Sequence, residues 1–318
     1  MEVCIFQVTD RDPNKMKNKN MENKKMEKRN MGSWTRVRGD QVRYRCNMIS
    51  FFNPMQRVKE HLTEEHLELL QQTPFRPLIS AFYNGLISED QCKKSKAGIG
   101  NIMKCYNAET MSFEFGTTSA SLTTEDVAEI LGLPREGQEV QLKGTTKHIS
   151  DFTKRCFEEE TILYEKLVDN ALEAAIKGKR ETDAEDVARL ILTELCATFL
   201  LCNTNQVVSW NLVEYCEDLE NLSRYSWAKA VADLLHESLG KRTRRSEGYS
   251  LPGCVAVITV TIVLWLCERT NLIQPISGRE GQKPALVKWN TWELHFKLEQ
   301  IDVEEIGEVY SYYILAFT

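Results

Sequence analysis

The chain has no Cys-x-x-Cys pair and no Gly-x-x-x-x-Gly-Lys-Ser/Thr phosphate loop, although it carries ten cysteines and sixteen glycines. The scattered cysteines exclude the dense disulfide framework of a small secreted domain, and a chain of 318 residues does not need one. They read as reduced, mostly buried thiols. Gly98-Ile-Gly100 lacks the third glycine of a dinucleotide fingerprint, because Met occupies position 103. The five histidines are far apart. His61 and His66 are five apart and Cys196 and Cys202 six apart, neither of which is a zinc-ligand spacing. No metal, cofactor or catalytic residue is expected from these patterns.

Long apolar runs are equally scarce. The longest, Leu251–Cys267, is uncharged and rich in Val, Ile and Leu. As a helix it would span about 25 Å at about 1.5 Å per residue, short of a bilayer core of about 30 Å. Pro252, Gly253, Thr259 and Thr261 dilute it. A buried core helix is the expectation, and a single-span membrane anchor is the alternative. The first residues, MEVCIFQVTD, lack the basic start and apolar run of a signal peptide.

Charge is present but unevenly placed. The whole chain has 46 Asp+Glu against 40 Lys+Arg, a net charge of −6. Residues 11–45 reverse this balance, with twelve Lys/Arg and four Asp/Glu. Residues 1–50 therefore read as a basic, disordered arm on an acidic body, since little apolar surface is available there to offset ordering entropy. Lys24, Lys25, Lys28, Arg29, Arg36 and Arg38 are its candidate contacts to nucleic acid, weak and sequence-independent. KRTRR at Lys241–Arg245 reads as a basic linker that assists them.

The body reads as mainly α: a multi-helix globular domain with a small β-hairpin or short sheet in its N-terminal half. Residues 51–180 form one half and residues 181–318 a helical second half, with a hinge near Gly178–Glu185. Thr63 caps a short helix ended by Pro74, Ser88–Gln91 fits a capping box opening another helix, and Ser150 caps a third. Ser112–Leu122 alternates as a strand or hairpin, with a partner expected near Glu139–Leu142. Thr161–Lys177, Asp183–Cys202, Trp210–Cys216 and Asn221–Leu239 are helical runs, and Gly248–Pro252 is a turn. The aromatic tail from Lys288, with Trp289, Trp292 and Phe296, reads as core or as a partner-facing strand.

The most legible stretch is Leu122–Val140, LTTEDVAEILGLPREGQEV. Thr123 and Thr124 are candidate N-caps, and Glu125 and Asp126 place negative charge at the positive helix end. Val127, Ile130 and Leu131 share one face. Gly132 stops the helix and Pro134 prevents its resumption.

Phe113 and Phe115, this LTTEDVAEILGLP segment, Gly137 and Val140 together resemble the plant mobile domain family, often labelled aminotransferase-like. Tyr225–Leu239 (YSWAKAVADLLHESL) and Gly253–Leu272 (GCVAVITVTIVLWLCERTNL) are similar to the helices that follow that family's core. The resemblance covers roughly residues 75–315. It implies a transposon-linked plant protein, nuclear and non-enzymatic, acting in gene silencing or development through a protein partner. Its working surface would be apolar and acidic. The family offers no catalytic residues to carry over. Some plant genes join such a region to a ubiquitin-like (SUMO) protease, so an N-terminal remnant of such a gene is the alternative. That protease has a Cys followed by Gly, which occurs nowhere in this chain. The aminotransferase label implies a pyridoxal site on a large α/β fold, and the chain lacks the alternating strands and helices for one.

Overall fold

The computed structural model describes residues 41–43, 48–92, 102–250 and 255–300, less 116, 145, 159, 179, 181, 203–204, 242, 246–247 and 271. These residues belong to one compact unit. The unit is mainly α, with a small three-stranded antiparallel sheet in its N-terminal half.

In chain order the helices are α1 (Ile49–Val58), α2 (Glu64–Gln71), α3 (Arg76–Tyr83), α4 (Thr124–Leu131), α5 (Asp151–Phe157) and α6 (Glu165–Ala175). They continue as α7 (Asp183–Leu195), α8 (Trp210–Glu217), α9 (Trp227–Gly240), α10 (Val255–Arg269) and α11 (Thr291–Gln300). The strands are β1 (Gln41–Arg43), β2 (Tyr106–Asn107), β3 (Ser112–Phe115), β4 (Thr118–Ala120), β5 (Leu163–Tyr164), β6 (Val207–Val208), β7 (Thr243–Arg245) and β8 (Gly248–Ser250).

Local chemistry sets the helix starts. Thr63, Thr123 and Ser150 each accept a hydrogen bond from the backbone N–H three residues on, and each donates its own N–H to that residue's side chain. At α4 the pair is Asp126 N–H to Thr123 Oγ1 (3.2 Å) and Thr123 N–H to Asp126 Oδ2 (2.8 Å). Gly132 ends α4 in the left-handed region at φ 70°, as a C-terminal glycine should. At α2 the reciprocal partner is His66, whose Nδ1 accepts from Thr63 N–H at 2.9 Å. Its ring is therefore neutral, and burial lowers its pKa. Ser88 and Gln91 form their reciprocal pair too, yet it opens only the 3-10 turn Asp90–Cys92 among the described residues.

Two groups of helices meet around α7. This helix is amphipathic, with Val187, Leu190, Ile191 and Leu195 buried. It packs against α6, α2, α8 and α1. It then widens into a π-helical turn, Cys196–Leu200, closed by Leu201 N–H to Cys196 C=O at 2.7 Å. The second group is α4, α9 and α10, with α11 on α10, and α10 also touches the π turn. The core runs continuously through both groups.

Several expectations change. The partner of β3 is not Glu139–Leu142: β3 lies between β2 and β4, antiparallel to both. KRTRR is no linker, because Thr243–Arg245 pairs antiparallel with Gly248–Ser250, where a turn was expected. The end of the basic segment joins the same sheet, with Gln41–Arg43 parallel to Gly248–Ser250. Thr161–Lys177 gives up its first residues to β5, which pairs with β6. Asn221–Leu239 splits into a 3-10 turn, Leu222–Arg224, and α9. Within the aromatic tail, Thr291–Gln300 forms a helix, α11, with Trp289 buried before it and Trp292 and Phe296 exposed on it.

The apolar run Leu251–Cys267 forms most of α10. Thr261 through Cys267 are buried, and Trp265 lies 5.6 Å from the Phe113 ring. Arg269, at its end, bonds Asp126 of α4 at 2.6 Å and stacks over Trp265. Among the described residues no helix is long and apolar enough to cross a membrane.

Candidate functional site

The two best-marked sequence segments are clipped together by main-chain atoms. Gln138 N–H donates to Arg224 C=O at 2.7 Å, and Ser226 N–H donates to Gln138 C=O at 2.9 Å, a parallel bridge between Gln138 and Tyr225. Ala228 N–H reaches Pro134 C=O at 2.9 Å. Gly137 permits the approach. Its φ is 130°, and a Cβ there would lie 2.4 Å from the Arg224 carbonyl oxygen, so no other residue fits.

Beyond the clip the chain lies over α8. Gln141 N–H donates to Tyr215 Oη at 3.1 Å, and Asn211 Nδ2 donates to Gln141 C=O at 3.1 Å. Ser209 Oγ holds Gly144 C=O at 3.1 Å. Tyr215 and Tyr225 are thereby set edge to face at 4.7 Å, and both pack on the buried Trp227.

These rings wall a cleft of about 500 Å³, whose rim carries Glu214, Glu217, Asp218, His148 and Arg189. The arginine's charge is already committed. Its Nη2 pairs with Glu185 at 2.8 Å, its Nη1 with Asp186 at 3.3 Å, and its Nε donates to Glu217 C=O at 2.9 Å. Asp186 is fully buried and takes a two-pronged bond from Arg155 at 2.9 and 2.8 Å. Ser150 Oγ donates to Glu217 Oε2 at 2.9 Å. The cleft is therefore aromatic on its walls and acidic at its rim.

Two other clefts have different chemistry. Tyr106 donates its hydroxyl to His236 Nδ1 at 2.9 Å, and His236 Nε2–H donates to Leu122 C=O at 3.0 Å, beside a cleft of about 490 Å³. Both ring nitrogens are thus engaged within the fold. The third cleft, about 560 Å³, lies between Gly85–Gln91 and Trp292. Its Arg279 Nη1 donates to the Leu86 and Val287 carbonyls.

Lys24, Lys25, Lys28, Arg29, Arg36 and Arg38 lie outside the described residues, as does Gly98-Ile-Gly100. Lys241 pairs with Glu237 on α9. His61 and His148 are exposed, and His66 is buried. Cys92, Cys156, Cys196, Cys216 and Cys267 form no disulfide. Burial pushes the Cys92 and Cys156 thiols up to about 12, and raises Cys196 and Cys267 as well, so these groups are neutral thiols at neutral pH. Among the described residues no group of three His, Cys, Asp or Glu side chains is placed to hold a metal ion. Sequence reasoning passed over Tyr215 and Tyr225. The available signal was a helix, Trp210–Glu217, whose polar face mixes Asn211, Glu214 and Tyr215.

Neither the curated proteins nor the solved structures yield a match to this chain. Residues 44–259 match the family model described as a domain of unknown function, DUF8566. The matched segment runs from just before α1 into α10 and contains every residue of the tyrosine cleft. It covers about two thirds of the sequence, and the chain therefore belongs to the DUF8566 family.

Proposed function

We propose that the protein is a non-enzymatic interaction module whose tyrosine cleft takes a Lys- or Arg-bearing segment of a partner protein. The observation that carries this reading is the placement of Tyr215 and Tyr225 beside Glu214, Glu217 and Asp218 in one cleft. An aromatic face attracts a cation, by about 0.5–1 kcal/mol at an exposed site. Rim carboxylates steer a cation toward it and exclude acidic competitors. Arg189 does not cancel this field, because Glu185 and Asp186 already pair with it.

The resemblance to the plant mobile domain family supports a nuclear setting linked to transposon-derived sequence, in silencing or development. There the basic segment that includes Lys24, Lys25, Lys28, Arg29, Arg36 and Arg38 would add a salt-sensitive contact to nucleic acid.

The test is fluorescence anisotropy with a short labelled peptide rich in Lys and Arg, against its Glu-substituted counterpart. The basic peptide should bind selectively. Glu214→Lys and Tyr225→Ala should each weaken it by about two- to fivefold, in keeping with roughly 0.5–1 kcal/mol per lost contact. Equal binding of both peptides, or affinity untouched by both substitutions, would sink the reading.

A further inference from the structure

The face between α6 and α7 holds more acid than base. Helix α6 brings Glu165, Asp169 and Glu173, and α7 brings Glu194. The cations are Arg57 from α1 and Lys166 from α6. Arg57 pairs with Asp169 and, at 3.2 Å, with Glu173, while Lys166 pairs with Asp169 at 2.8 Å. Neither makes a salt bridge to Glu194. The Glu194 side chain is 2% exposed, and its Oε2 has no hydrogen-bond partner.

The other elements on α7 do not relieve it. From α2 the buried titratable group is His66, whose ring is turned onto Thr63. From α8, Cys216 is engaged with Cys196. Immediately beyond Glu194 the helix widens into the π turn, where Thr198 Oγ1 donates to the Glu194 carbonyl at 2.8 Å. The backbone carbonyl is satisfied, and the carboxyl is not.

An ionised carboxylate with no partner is strongly unfavourable at such a site, whereas a neutral carboxyl is tolerated. Burial, with Asp169 and Glu165 nearby, holds Glu194 up at about 9. Burial likewise raises Glu165 to about 7. The backbone N–H of Glu165 also donates to Gln206 C=O at 3.0 Å, so α6 is continuous with the β5–β6 pair.

We propose that the α6–α7 junction is a proton-controlled latch: α6 stays docked while Glu194 carries its proton, and loss of that proton beside an ionised Glu165 releases α6 together with the β5–β6 pair. The proton leaves to solvent. Asp169 and Glu173 keep their pairing to Arg57, so α6 swings against α7 while remaining tied to α1.

Hydrogen exchange of the full chain, corrected for intrinsic amide rates, reads this directly at about pH 6.5 and about pH 9.5. Protection of Glu165–Ala175 should fall about tenfold or more at the higher pH relative to Trp227–Gly240, and Glu194→Gln should abolish the difference. Unchanged protection in the wild type, or the same fall in Glu194→Gln, would overturn the proposal. Should Glu194→Gln not fold, Glu165→Gln serves in its place. With no ionised neighbour at position 165, the protection of α6 should fall at least severalfold less at about pH 9.5, and an undiminished fall would equally overturn the latch.

Discussion

Glu194 shows how one side chain can set the pH response of the fold. Its folded-state pKa of about 9 lies far above the ordinary carboxylate value of 4.5, because burial disfavours the charged form. The unfolded chain therefore gives up this proton first. Between the two values the folded state holds a proton that the unfolded state lacks, so stability falls as pH rises through that window, by at most about 1.4 kcal/mol per unit. Below about 4.5 the contribution vanishes, since both states are protonated. Glu194→Gln should flatten the dependence and raise the thermal midpoint at pH 8 relative to wild type. Thermal melts of the two proteins from pH 5 to 9 check this, and parallel slopes would refute it. None of this could be read from ARLILTELCATFL, where Glu194 looks like an ordinary polar interruption of an apolar run. Its burial is decided by α1 and α6, which approach it from elsewhere in the chain.

At the scale of elements, legibility followed locality. The starts of α2, α4 and α5 are written in adjacent residues, because a cap needs only a side chain and the N–H three positions on. Thr123→Ala should therefore cost about 1 kcal/mol, seen as a lower denaturation midpoint with an unchanged slope. It should also disturb the Arg269 contact, since Asp126 serves both the cap and the ion pair. Pairings across the chain were invisible. β1 meets β8 across about two hundred residues, and a basic stretch read as linker became β7. The π turn after Leu195 was equally hidden, because its widened geometry leaves no mark in an apolar sequence. The cleft was legible only as separate pieces. Leu122–Val140 and Tyr225–Leu239 stood out as motifs, but nothing local says that Gln138 bridges Tyr225.

For the molecule as a whole, α10 joins the sheet to the helices. Trp265 rests on Phe113 and Phe115 of β3, and Leu264 is fully buried beside it. Leu264→Asp should abolish folding, because an unpaired buried carboxylate costs several kcal/mol against a total stability of about 5–15 kcal/mol. Circular dichroism of the purified variant checks it, and a native-like melt would show that α10 tolerates charge. The clip between Gln138 and Tyr225 has a different kind of consequence. It fastens the floor of the tyrosine cleft through peptide groups alone, which every residue but proline supplies, while the exposed Glu214 and Asp218 carry little of the fold. Glu214 and Asp218 are then free to drift without endangering the scaffold. On the proposed reading of the cleft, copies of this domain that part by duplication trade one ligand preference for another through changes at Glu214 and Asp218, with Gly137 as the position that cannot follow.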